Sequence, residues 1–181
     1  MYRLLILDDE PSIINAMVRL IARIPHEQVD RNTVVRTFTD PAQALECLRE
    51  EPFDLIITDF RMPSMDGLTF LRHAIEHQPD VARIIISGHA DLPVVLSAVN
   101  AARIFRFVSK PWDDAELQQS IVQALQVRAL HLENQRLADL VRIQRGALSR
   151  QEAMLRELES ESPGITRVER DADGAIILDL E

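Results

Sequence analysis

Five short apolar runs, each followed by a stretch of helical periodicity, constrain this chain more than any other feature. The runs are Leu4-Leu5-Ile6-Leu7, Val34-Val35-Arg36-Thr37-Phe38, Leu55-Ile56-Ile57-Thr58, Arg83-Ile84-Ile85-Ile86 and Ile104-Phe105-Arg106-Phe107-Val108. Three of them are almost unbroken Ile and Leu, the pattern of parallel strands covered on both faces. Segments of about ten to fifteen residues lie between them, with apolar positions three and four apart. Ile13, Ile14, Met17, Val18 and Ile21 form one such set; Leu68, Leu71 and Ile75 form another. Asp40-Pro41 and Asp91-Leu92-Pro93 each place a capping carboxylate just ahead of a first-turn proline. Five strands alternating with five helices, strand first, predict a doubly wound α/β domain with a five-stranded parallel sheet. Ligands of such sheets lie beyond the carboxyl ends of the strands.

Those ends carry an unusual set of side chains. Asp8 and Asp9 follow the first run, Asp59 the third, Ser87 the fourth and Lys110 the fifth. The fold would draw three carboxylates, a hydroxyl and an ammonium to one edge. Crowded carboxylates repel one another unless a cation neutralises them. Oxygen ligands with retained waters suit Mg²⁺, which bridges carboxylate and phosphate. A carboxylate beside Mg²⁺ and a lysine is placed to attack phosphorus, with metal, ammonium and hydroxyl meeting the charge on the transferring oxygens. The chain has 20 basic side chains, and Lys110 is its only lysine. A compact ammonium suits that position better than a planar guanidinium. The blander alternative makes Asp8 and Asp9 mere caps of the first helix, which leaves the coincidence at four strand ends unexplained.

The motifs Leu7-Asp8-Asp9-Glu10, Asp59-Phe60-Arg61-Met62-Pro63-Ser64-Met65-Asp66-Gly67, Ile86-Ser87-Gly88 and Phe107-Val108-Ser109-Lys110-Pro111-Trp112 resemble the response-regulator receiver domain of bacterial two-component systems. The resemblance covers about residues 1 to 125, in order. It implies a flavodoxin-like fold with strand order 2-1-3-4-5 and Asp59 as phospho-acceptor. It implies that Asp9 binds Mg²⁺ directly, that Asp8 acts largely through water, and that the Arg61 backbone carbonyl completes the protein ligands. Ser87 would bond one phosphoryl oxygen, Lys110 another, and the Lys110-Pro111 bond would be cis. Phe107 stands at the rotating aromatic of the family; without a hydroxyl it could signal burial but not a hydrogen bond, and simple core packing is its plainer role. Arg61 and His89 flank the pocket at positions thought to tune the lifetime of the phosphorylated state.

After Trp112 the pattern changes. No proline falls between Asp113 and Glu161, and Gly146 is the single glycine there. Alternate steps of three and four from Val127 pick out Leu130, Asn134, Leu137, Val141, Gln144, Leu148, Gln151, Leu155 and Leu158. This is a heptad seam of roughly four and a half repeats. Asn134 at an a site favours a two-stranded parallel pairing, while Gln144, Gln151 and Gly146 weaken it; a helix folded back on the first domain is the alternative. Ile165 to Val168 and Ala175 to Leu178 flank Asp171-Ala172-Asp173-Gly174, a fair hairpin. The expected divisions are a receiver at 1–125, a coiled-coil helix at 126–161 continuing from the fifth helix, and a β-hairpin tail at 162–181.

Net charge of -9 opposes a sequence-independent grip on nucleic acid, and no helix-turn-helix, zinc ligand set or Gly-rich nucleotide loop follows residue 112. No apolar run reaches the ~20 residues of a membrane span, and the single cysteine, Cys47, cannot form an internal disulfide, so a cytoplasmic protein is expected. The preferred reading is a homodimeric response regulator, paired through 127–158. It takes its phosphoryl group from a sensor histidine kinase or histidine phosphotransfer protein and signals to a downstream protein. Its only chemistry would be self-catalysed phosphoryl acceptance and autodephosphorylation. The runner-up is a phosphate shuttle or sink with no output of its own. A metal-dependent phosphatase is disfavoured because Arg61 stands where that class needs a second acid.

Overall fold

The computed structural model describes residues 2–29, 32–88 and 103–161. Five parallel strands form one sheet: β1 (Arg3–Leu7), β2 (Val34–Phe38), β3 (Leu55–Asp59), β4 (Ala82–Gly88) and β5 (Arg106–Lys110), in the order β2-β1-β3-β4-β5. The helices are α1 (Pro11–Ala22), α2 (Pro41–Glu50), α3 (Gly67–His77) and α4 (Asp114–Glu161). The helix expected between the fourth and fifth strands, with its Asp91-Leu92-Pro93 entry, lies outside the described residues, as do His89 and the expected hairpin at 162–181.

Strict alternation along the strands divides the core in two. Leu4, Ile6, Leu55, Ile57, Ile84, Ile86 and Val108 face one way and pack on Ile14, Met17, Leu20 and Ile21 of α1 and Leu117 and Ile121 of α4. Leu5, Leu7, Ile56 and Ile85 face the other way and pack on Ala44 and Leu48 of α2 and Phe70 and Leu71 of α3. A strand buried on both faces needs apolar residues at consecutive positions, which is why β1 reads as an unbroken run. Burying each Leu or Ile contributes about 2 kcal/mol. The edge strand β2 differs: Arg36 and Thr37 are exposed, and a charged edge resists pairing with another sheet.

Local chemistry sets the helix starts. Asp40 caps α2 by accepting from the Ala42 N–H at 3.0 Å, ahead of Pro41 as expected. Asp66 caps α3, accepting from the Thr69 N–H at 2.7 Å. Glu10 precedes α1 without a side-chain cap of its own, and its backbone N–H donates to the Asp8 carboxylate.

The amino-terminal strand edge is tied by side chains. Gln78 accepts from the Phe53 N–H and donates to the carbonyls of Leu48 and Glu51, all at 2.7 Å. Gln78→Ala would strand one donor and two acceptors in a partly buried loop. A loss of about 2 kcal/mol is expected, read as a lower urea midpoint with unchanged slope. Arg83 is buried on β4, where its Nη2 donates to the carbonyls of Gln78 and Pro79. Burial, followed by repulsion from Arg103, pushes its guanidinium down to about 10.

The chain divides into two compact units, Met1–Leu132 and Glu133–Glu181. The first carries the sheet and the beginning of α4. There Arg128 donates to the Asp80 carbonyl at 3.0 Å and pairs with Asp54, whose other oxygen accepts from the Arg3 N–H. In the second, the helix carries Leu137, Val141, Leu155 and Leu158 of the heptad seam as exposed side chains. No helix among the described residues is long and apolar enough to cross a membrane.

Candidate functional site

The parallel register gathers the functional side chains at the carboxyl edge of the sheet. Asp59 is the last residue of β3 and pairs in register with Ile86, so Ser87 stands one step further along β4. Ser87 pairs with Ser109, and Gly88 with Lys110, the last residue of β5. The sequence places Asp59, Ser87 and Lys110 just after their strands; the structure puts all three inside them, because the ladder continues until the backbone meets the open edge. β5 accordingly lies two residues later than the apolar run suggests, and just ahead of it the Phe105 N–H donates to the Arg83 carbonyl of β4 at 2.8 Å.

Asp8 follows β1 directly and is fully buried. One of its oxygens accepts from the Glu10 N–H at 2.9 Å, the other from the Lys110 ammonium at 2.9 Å. Lys110 also pairs with Asp59, so one ammonium bridges the two carboxylates. Asp9, Glu10, Asp59, Arg61, Ser87, Gly88 and Lys110 line an open cleft of about 370 Å³. Asp9 is exposed there, whereas Asp59 is only 5% exposed. The Lys110-Pro111 peptide bond is cis. Phe107 is half-buried and packs against the second core cluster, and Trp112 packs against the first.

Burial dominates the electrostatics of Asp59 and pushes its carboxyl above the ordinary range. The Asp8 charge adds to that rise, while the Lys110 ammonium and the Arg61 backbone N–H oppose it without cancelling it. Lys110 is also raised: burial alone would lower it, but its bonds to Asp59 and Asp8 together outweigh that penalty. The edge therefore holds a partly desolvated carboxylate, Asp59, beside a lysine that keeps its charge.

The three acidic side chains do not converge on one point. Among the described residues no group of three or more His, Cys, Asp or Glu side chains is placed to hold a metal ion. The donor set nevertheless fits a hard cation that keeps part of its water shell, since Asp9, Asp59 and Arg61 line one cleft and Asp8 lies behind the Lys110 bridge.

Two features escaped the sequence reading. The Lys110 ammonium is shared between Asp8 and Asp59, and sequence spacing cannot show which of two carboxylates a lysine reaches. Gly67, the first residue of α3, sits so close to the Asp59 backbone that a Cβ there would meet the Asp59 carbonyl oxygen at 2.1 Å. An N–H···O bond of 2.8 Å from Gly67 to the Phe60 carbonyl closes the same loop.

The model of the response regulator receiver domain matches residues 4–122. The chain is 31% identical over 133 residues to the hydrogenase transcriptional regulatory protein HoxA of Cupriavidus necator, an alignment covering 74% of this chain and 26% of that protein. It is 34% identical over 103 residues to the C4-dicarboxylate transport transcriptional regulatory protein DctD of Rhizobium meliloti, covering 57% of this chain and 22% of that one. The chain thus spans about a quarter of the length of these curated relatives. Among solved structures, an uncharacterized protein from Neptuniibacter caesariensis superposes with a TM-score of 0.66 at 38% identity, covering 74% of this chain and 93% of that chain. The signal receiver domain of an HD domain-containing protein from Pseudomonas fluorescens gives 0.65 at 31%, covering 73% and 92%. Receiver domains are generally non-enzymatic signalling modules that bind Mg²⁺ at an acidic phosphorylation site and interact with histidine kinases or phosphotransfer proteins. With this sheet order, this acidic edge and a match over most of its length, the chain belongs to the response regulator receiver domain family.

Proposed function

We propose that this protein takes a phosphoryl group on Asp59 from a sensor histidine kinase or histidine phosphotransfer protein and signals through a dimer of its C-terminal helix to a downstream protein. The observation that carries the reading is the bridging of Asp59 and Asp8 by the Lys110 ammonium at the rim of the cleft that Asp9, Arg61 and Ser87 also line. An Asp59 carboxylate oxygen attacks phosphorus, the bond from phosphorus to the donor nitrogen breaks, and its electron pair stays on the donor imidazole. Asp9, Asp59 and the Arg61 backbone carbonyl would hold Mg²⁺, with Asp8 acting through water, and the bound metal would neutralise charge at the phosphoryl oxygens. Lys110 and Ser87 each bond a phosphoryl oxygen. Phosphorylation draws Lys110 from carboxylate to phosphoryl group. Ser87 turns toward the new charge, and Phe107 follows from its half-buried position.

The output is protein association. The exposed Val127, Leu130, Leu137, Val141, Leu155 and Leu158 support pairing of two copies through 127–158. The divisions at 1–125, 126–161 and 162–181 assign receiver, pairing helix and tail. The net charge of -9 supports a protein partner over nucleic acid. Intact-mass spectrometry after treatment with a small phosphodonor tests the chemistry. A Mg²⁺-dependent gain of one phosphoryl group is expected on the wild type and none on Asp59→Asn. An equal gain on both proteins would remove Asp59 from its role.

A further inference from the structure

β3 carries one polar side chain ahead of its terminal aspartate. Thr58 is wholly buried, like Leu55, Ile56 and Ile57 before it. By strand alternation it shares the face of Ile56, toward α2 and α3. A buried hydroxyl opposes folding unless it is bonded, and a Val would fill nearly the same space without that cost. The Thr58 hydroxyl is bonded: it donates to the Asp59 carbonyl at 3.0 Å. That carbonyl belongs to a short run of main chain held at successive groups. In the Asp59–Phe60 peptide the carbonyl accepts from Thr58, and the N–H donates to the Ile86 carbonyl of β4 at 2.9 Å. In the next peptide the Phe60 carbonyl accepts from the Gly67 N–H at 2.8 Å. The N–H of that second peptide belongs to Arg61 and bonds the Asp59 carboxylate. The Gly67 backbone lies hard against the Asp59 carbonyl, which leaves little room for a water to replace the hydroxyl. The other restraints are main chain; Thr58 supplies the side chain.

Resting on the reading of Asp59 as phosphoryl acceptor, we propose that Thr58 is a positioning residue for the transfer. Its hydroxyl fixes the Asp59–Phe60 peptide, and through it the direction in which the Asp59 carboxylate leaves the backbone toward Lys110 and the Arg61 N–H. Thr58 does not touch the phosphoryl group, since it is buried in the core and lines no part of the cleft. It acts on rate through geometry. Misplacing a reacting group by about 1 Å can cost on the order of 10²-fold, so a smaller tilt of this peptide should cost roughly tenfold.

Thr58→Val and Thr58→Ser in the full chain test this, because hydroxyl and methyl rank the two variants in opposite orders. Val keeps the packing and loses the hydroxyl; Ser keeps the hydroxyl and loses a buried methyl. Three quantities are measured: the rate of mass gain from a small phosphodonor with Mg²⁺, the exchange rate of the Arg61 amide by NMR without donor or metal, and the urea midpoint. Thr58→Val is expected to accept phosphoryl groups roughly tenfold more slowly and to exchange the Arg61 amide faster. Thr58→Ser is expected to match wild type in both, although its urea midpoint falls. A Thr58→Val protein with wild-type rate and exchange would overturn the role. So would a Thr58→Ser protein as slow as Thr58→Val, since rate would then follow packing. A wild type that gains no phosphoryl group would overturn the acceptor reading and this role with it, whereas a wild type that gains one while Thr58→Val keeps pace would overturn this role alone.

Discussion

Gly67→Ala is expected to lower the folding free energy by about 3 kcal/mol and to reduce the rate of phosphoryl acceptance on Asp59 as well. The cause is a collision with backbone. An ordinary carbon-to-carbonyl-oxygen contact is about 3.3 Å, and the added methyl carbon would lie 2.1 Å from the Asp59 oxygen, 3.0 Å from its carbonyl carbon and 3.2 Å from the Phe60 Cα. No rotamer relieves this, because all three of these neighbours are main chain. Either α3 retreats from the sheet or the end of β3 shifts, and the second displaces the Asp59 carboxylate from Lys110. Urea unfolding reads the first effect and the rate of mass gain from a small phosphodonor the second. Gly146→Ala is the internal contrast. Nothing lies within 4 Å of a Cβ there, so removing a helix-interior glycine should raise helix stability by about 1 kcal/mol and increase the helical circular dichroism signal. Equal and small effects from the two changes would show that Gly67 is not tightly packed.

Much of this was legible in the residues. Unbroken Ile and Leu in β1 and β3, in runs too short for a helix, match strands covered on both faces, and that property with the strand-first alternation points to a parallel sheet. The sheet then forces the carboxyl ends of β1, β3, β4 and β5 onto one edge, so Asp8, Asp59, Ser87 and Lys110 could be grouped without coordinates. What pattern could not convey is partnership. Two aspartates follow β1, yet only Asp8 is buried and bonded to Lys110, while Asp9 opens to the cleft. That choice depends on strand twist and on the exact end of β5, which an apolar run locates only to within two residues. The ties made by Gln78 and Arg128 were equally invisible, since each joins loops distant in sequence through polar side chains that follow no period.

Lys110→Met is expected to cost about 3 kcal/mol at neutral pH, because it leaves a wholly buried Asp8 and a nearly buried Asp59 without their shared cation. The pH dependence follows from the direction of each shift. Lys110 is raised above 10.5 in the folded protein, so its contribution is complete below that value and is lost as pH climbs through the raised value. On the alkaline side the gap between wild type and variant should therefore hold until pH passes 10.5. On the acid side the gap should narrow. Without the ammonium the Asp59 carboxyl, already raised by burial, rises further, and the folded variant takes up a proton that relieves the repulsion. Asp59→Asn should behave in the opposite sense from Lys110→Met. A carboxyl held above its ordinary range opposes folding when ionised, so the neutral amide should raise the urea midpoint of the Mg²⁺-free protein. Mg²⁺ should then stabilise wild type more than Asp59→Asn, since the metal favours the ionised carboxylate that burial disfavours. Urea midpoints of the three proteins at neutral and mildly acidic pH, with and without Mg²⁺, decide the matter. A Lys110→Met midpoint equal to wild type at neutral pH would mean that Asp8 finds another partner and that the bridge is not what holds the acidic edge together.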